Sequence, residues 1–312
     1  MEPSVIEFRN VHKRRRTKTI GPINLTLPQG YIIALVGPNG SGKSTLLNMM
    51  MQIVQPDEGE VAWFGNAYPK ELPVAIRQNM GFVPEQLSTE ELQMTVEAAA
   101  AFRAQWYDKW DGYFFDELLS RFDVPRGLRL NKMSKGERRK FEIAAALAPR
   151  PKLLILDEPS SGLDPFAWKL LIEQLHKIMK SMDTTIILST HVVDEIRRLA
   201  DYVVLIHHGK LLGMVEKDSL LDNWKECWIQ GDASIVNELP GIISSKQESA
   251  HSISFITTEC LEVEKILASA GYHLSRPVPW NWMKCLDYGL MDTFLPVCRT
   301  RRGVFISCND CN

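Results

Sequence analysis

The run Gly37-Pro38-Asn39-Gly40-Ser41-Gly42-Lys43-Ser44-Thr45 restricts the fold of this chain more than any other segment. It fits the pattern G-x-x-x-x-G-K-[ST] and stands between an apolar run at 31–36 and a helical pattern that starts at Lys43. A strand, a tight glycine turn and a helix N-terminus are required in that order, which makes the chain an α/β protein. Glycines let backbone N–H groups close around phosphate oxygens. The helix adds the positive end of its dipole. Lys43 is expected to reach the β- and γ-phosphates of a nucleotide, and Ser44 to ligate Mg²⁺.

A second segment supplies the carboxylates such a site needs. Leu153-Leu154-Ile155-Leu156-Asp157-Glu158 is four apolar residues followed by two acids. A strand buried on both faces reads this way. Its C-terminal tip is the end at which open parallel sheets bind ligands. Asp157 is expected to hold Mg²⁺ through water, and Glu158 to orient or deprotonate an attacking water.

Three further motifs narrow the class. Met133-Ser134-Lys135-Gly136-Glu137 precedes a helix, Ser161-Gly162-Leu163-Asp164 follows Glu158 closely, and His191 ends the run Ser189-Thr190-His191. With these in order, residues 1–224 resemble the ATP-binding subunits of ABC transporters. The resemblance implies ATP and Mg²⁺ as cofactors. It makes Ser134 and Gly136 the signature that meets the γ-phosphate of an opposite subunit. It makes Asp164 part of the loop that communicates across the dimer, and His191 the switch histidine. Lys135 and Glu137 depart from the usual Leu-Ser-Gly-Gly-Gln. In the switch loop Glu85 stands where Gln is usual and Gln86 follows, so either could sense Mg²⁺ and the lytic water. An adenine-stacking aromatic is usual near 12–16. Here the chain reads His12-Lys13-Arg14-Arg15-Arg16, and an arginine plane, His12 or a solvated basic hairpin are the alternatives. The segment from Glu85 to about Trp110 and the run Lys135–Lys140 resemble the YtrB-like antibiotic and drug exporter ATPases. That implies a membrane-spanning partner received near Trp106, Tyr107 and Trp110.

The fold expected is an ABC-type P-loop domain at 1–224: a mixed sheet core, a helical subdomain and an antiparallel β edge. After it come a small α+β domain at 225–294 and a loose tail at 295–312. Formal net charge is −2, which argues against a nucleic-acid partner. No apolar run approaches the ~18–20 residues that span a bilayer. The chain is therefore expected in the cytoplasm, peripheral on the inner membrane face through a membrane subunit. Cys308 and Cys311 form a C-x-x-C without further metal ligands. One P-loop and one signature imply pairing with a second ATP-binding subunit, a copy or a homologue. The function expected is ATP hydrolysis coupled to export. The alternatives are an importer ATPase with a C-terminal regulatory domain and a soluble non-transport ABC ATPase.

Overall fold

The computed structural model describes residues 3–15, 18–86, 89–181, 183–223, 225–230, 233–236, 238–249, 252–257 and 259–279. The chain divides into two compact units, the first running to Gly213 and the second starting at Met214.

In the first unit β1 (Ser4–Arg15) and β2 (Lys18–Pro28) form a long antiparallel hairpin. β3 (Ile32–Val36) leads through the glycine loop into α1 (Lys43–Met50). β4 (Glu58–Trp63) and β5 (Asn66–Ala67) join the hairpin in a sheet of order β2-β1-β4-β5. A short α2 (Val74–Arg77) and β6 (Met80–Val83) precede a helical block, α3 (Val96–Ala104), α4 (Gly112–Arg121) and α5 (Lys135–Leu147). Then come β7 (Leu153–Asp157), α6 (Pro165–Ser181), β8 (Thr185–Thr190), α7 (Val193–Leu199), β9 (Tyr202–His207) and β10 (Lys210–Glu216), within which the division between the units falls. The second sheet has the order β10-β9-β3-β8-β7-β6, and its strands from β9 to β6 are parallel.

Every residue of β3, β7 and β8 is buried, as their near-continuous apolar runs predict for strands covered on both faces. Register then places the chemistry. Val36 lies beside Thr190, and Asp157 beside Ser189. The loops leaving β3, β7 and β8 therefore emerge together, at the end where open sheets hold ligands.

The hairpin is longer than its apolar cores at 5–8 and 23–27 suggest. Its polar end is held by charge across strands. Lys13 Nζ donates to Asp57 at 2.7 Å, Arg14 to Glu58 at 3.0 Å and Arg9 to Glu60 at 2.5 Å. These partners lie more than forty residues away, so local pattern does not reveal them.

The second unit contains α8 (Lys217–Asn223), β11 (Lys225–Gln230), α9 (Ala233–Val236), β12 (Ile242–Ser249), β13 (Ser252–Thr257), α10 (Cys260–Ser269) and β14 (Leu274–Pro279). Its sheet runs β12-β13-β11-β14 with antiparallel neighbours. From β11 onward this is the β-α-β-β-α-β arrangement of a split βαβ fold. Cys227, Ile229, Val236, Leu239, Ile253, Phe255, Cys260, Val263 and Leu267 form its own core. The expected tail at 295–312, with Cys308 and Cys311, lies outside the described residues.

Candidate functional site: a phosphate cradle beside paired carboxylates

The loop after β3 is shaped by its own backbone. Gly42 caps α1 at φ 115°, a left-handed conformation that side chains resist. Ser41 N donates to Pro38 O at 3.1 Å, and Gly209 N donates to Ser41 O at 2.8 Å. Lys43 is buried, and its Nζ donates to Gly37 O at 2.8 Å and Pro38 O at 3.3 Å. Burial pulls its pKa below the ordinary lysine value, while Glu158, Asp157 and Glu85 oppose that pull. A cation held in a glycine cradle at a helix N-terminus is suited to a polyphosphate.

Beside it, β7 delivers the two carboxylates into different environments. Asp157 is buried and accepts a short hydrogen bond from Ser189 Oγ. Glu158 turns away with φ 48°, its N–H donating to Ser189 O at 3.2 Å and Ser189 Oγ at 3.1 Å. His191 Nδ1 lies 3.0 Å from Glu158 Oε1 and 2.9 Å from Oε2. The turn carrying His191 is fixed beneath it. Thr190 Oγ1 donates to buried Glu195 at 2.6 Å and accepts from Val192 N at 3.0 Å. Burial raises the Glu195 pKa.

These groups share a cleft of about 670 Å³. Asn39 to Thr45, Glu85, Glu158 and His191 line it. Gln86 is exposed and is not among the lining residues. Ser134, Gly136 and Asp164 do not line it either. Ser134 caps α5, with Glu137 closing a capping box through bonds of 3.2 and 2.7 Å. A side chain on Gly136 would put its Cβ 2.7 Å from Gly162 O. Lys135 Nζ donates to Ser161 Oγ at 2.9 Å, so the departure from the usual glycine makes a new tie to the loop after Glu158. Asp164 Oδ1 accepts from Phe166 N and Ala167 N, both at 2.9 Å, capping α6.

The basic run at 12–16 separates on folding. Lys13 and Arg14 are engaged by Asp57 and Glu58, and His12 Nδ1 lies 3.1 Å from Asn10 O. Arg15 alone of residues 12–15 lines the cleft, and Arg16 is outside the described residues. Lys18, Ile20 and Gly209 join it there, which the motifs did not indicate. Lys18 Nζ donates to Gly40 O at 3.1 Å. The strand alternation of the hairpin, carried past Lys18, is the signal that would have found them.

A phosphate cradle, two carboxylates at the next strand tip and a histidine on the Glu158 carboxylate define an ATP-hydrolysing P-loop domain. The sequence profile described as ABC transporter matches residues 20–161. Nod factor export ATP-binding protein I of Sinorhizobium fredii is 32% identical over 232 residues, covering 71% of this chain and 66% of the relative. The glycine betaine uptake system ATP-binding protein YehX of Escherichia coli is 31% identical over 217 residues, covering 67% and 70%. A solved structure described as the ATP-binding subunit of an ABC transporter superposes with TM-score 0.61 at 26% identity. It covers 70% of this chain and 92% of that one. The chain belongs to the ABC transporter family and carries its ATP-binding domain. It spans about two thirds of the length of these relatives.

Proposed function

We propose that this chain hydrolyses Mg²⁺-bound ATP and works as the motor subunit of an exporter whose membrane-spanning part is a separate chain. The Glu158–His191 pair in the Lys43 cleft carries this reading. Lys43 and the loop amides hold the β- and γ-phosphates. Glu158 accepts a proton from the attacking water, and His191 holds that carboxylate on one side. The hydroxyl of Ser44 and the carboxylate of Asp157 are hard oxygen donors suited to Mg²⁺, and of the switch-loop pair Glu85 and Gln86 it is Glu85 that lines the same cleft as Ser44. Bound there, the ion would neutralise charge on the phosphate oxygens.

Ser134 and Gly136 lie outside the cleft that holds Lys43, which supports completion of the site by a second ATP-binding subunit. Two-fold pairing of two copies would give two equal sites. Asp164 would sit beside that junction. A nucleotide that binds the closed pair better than the open one drives closure, and hydrolysis releases it. No helix among the described residues is long and apolar enough to cross a membrane, so a membrane role calls for a partner. Trp106 and Tyr113 offer exposed aromatic surface in the helical block, while Tyr107 and Trp110 are half-buried. Exposed aromatics of this kind anchor partners. The location that follows is the inner face of a cell membrane. Likeness to an export protein supports export. Likeness to an uptake protein favours a second reading, an importer ATPase with the second unit as a regulator.

Glu158→Gln tests the core of this proposal. It keeps side-chain size while removing the base, so hydrolysis falls roughly 10²–10⁴-fold with binding retained. Light scattering after size exclusion should show an ATP-dependent dimer that Ser134→Arg abolishes. A monomer at saturating ATP would count against self-pairing.

A further inference from the structure

Arg139 has no part in the mechanism above, yet it is the largest fully buried side chain among the described residues, 0% exposed in the second turn of α5. Its Nη1 donates to Pro84 O at 2.7 Å and its Nη2 to Glu85 O at 2.8 Å. Nε finds no partner among the described residues. No carboxylate among those residues forms an ion pair with it. A buried charge is destabilising unless it is paired or hydrogen-bonded. Here the compensation comes from two consecutive backbone carbonyls, a geometry that suits the planar fork of guanidinium. Burial pulls its pKa below the ordinary arginine value, and Glu142, Asp157, Glu85 and Glu158 act against that pull, so the cation lies within the field of the catalytic carboxylates.

The helix that carries Arg139 is itself locked. Arg138 donates to Glu142 at 2.7 Å, and Arg103 of α3 joins Glu142 and Glu91 at 2.6 Å each. These buried charges bind α5 and α3 into one body. At its first turn α5 reaches the loop after Glu158, through Lys135–Ser161 and the Gly136–Gly162 approach. At its second turn Arg139 grips the loop after β6, whose Glu85 side chain lines the nucleotide cleft.

We infer that Arg139 is a positioning residue that couples the signature-bearing helix α5 to the Pro84–Glu85 backbone, so that a shift of α5 moves Glu85 within the nucleotide cleft. The inference rests on the ATPase reading for its kinetic consequence and on geometry alone for its mechanical one. A partner's nucleotide touching Ser134 would act on α5. Arg139 would carry that displacement back to the chain's own site. A point cation cannot grip two carbonyls in the same way, because Lys has no fixed fork.

The test uses the full chain with Arg139→Lys. The affinity for a non-hydrolysable ATP analogue, measured by calorimetry, should stay within about threefold, while kcat falls roughly tenfold or more, in line with the cost of small misplacements at a reacting centre. In a Glu85→Ala background the same substitution should change kcat by less than about threefold, since the route to the site is already cut. Equal fold-losses in both backgrounds, or a folded Arg139→Lys with wild-type kcat, overturn the proposal. Hydrogen exchange of the peptide containing Pro84, Glu85 and Gln86 gives a second reading that needs no turnover. It should rise about tenfold in the variant without nucleotide, and unchanged exchange also overturns the coupling. If the wild-type chain hydrolyses no ATP while this exchange still rises, the ATPase reading fails and the coupling stands. Should Arg139→Lys not fold, Arg139→Gln serves, because it keeps N–H donors without a buried charge.

Discussion

In the first unit β3 is apolar throughout and β7 up to its last residue, and the polar groups at and beyond the tips of β3, β7 and β8 stay buried: Lys43 after the glycine loop, Asp157 ending β7 and Glu158 just past it, and Ser189 and Thr190 ending β8. Arg138, Arg139, Glu142 and Glu195 of the same unit are buried as well. In the second unit the only buried polar side chains among the described residues are Ser254 and Thr257, and its core is aliphatic, aromatic and thiol. Cys227 and Cys260 meet there at 3.9 Å as free thiols, and burial raises the pKa of both. Buried polar groups cost free energy unless each is bonded, and they concentrate where chemistry needs them. The contrast separates a unit that spends stability on a site from one that is built from packing.

Substitutions can break that contrast. The largest effect is expected from Phe255→Ala, which empties the centre of the second core. Truncating a buried Phe costs about 3–5 kcal/mol. Hydrogen exchange should show the second unit opening while ATP affinity stays within about twofold. A tenfold loss of affinity would mean the two units share their stability. Lys43→Ala is the converse. It leaves the second unit's exchange unchanged and removes a buried cation from the phosphates, at about 2–5 kcal/mol of binding. Wild-type ATP affinity in a titration would show that the phosphates lie elsewhere. Arg14→Ala should be the smallest. Its pair with Glu58 is largely exposed, and such pairs contribute about 0–1 kcal/mol. A melting shift of many degrees in a thermal scan would mean that surface pairs in the first unit matter as its buried ones do.

The same contrast explains what the sequence disclosed. β3, β7, β8 and the Lys43–Met50 helix were legible because burial on both faces leaves continuous apolar runs, and because the glycine loop has one use. β12 was not. Its sequence Ile-Ile-Ser-Ser-Lys-Gln-Glu-Ser shows no alternation, and residues 245–249 are exposed at a sheet edge. The seven-residue α7 was missed because Val-Asp-Glu-Ile-Arg-Arg-Leu is too short for a period to show. Lys43, Asp157, Glu158 and His191 each sat in a recognisable motif. Arg139 was hidden in Arg138-Arg139-Lys140, which reads as a solvated basic face. The helical period held the clue, since Arg139 shares a stripe with buried Ile143 and Ala146.

The left-handed turn at Glu158 bears on how such a chain can change over generations. A non-glycine residue at φ 48° is held there by its surroundings, at a cost of about 1–3 kcal/mol. Glycine would relax that turn, and asparagine would tolerate it better. Selection for hardiness alone would therefore drift away from glutamate at this position. A lineage that keeps glutamate is one in which turnover still matters more than durability.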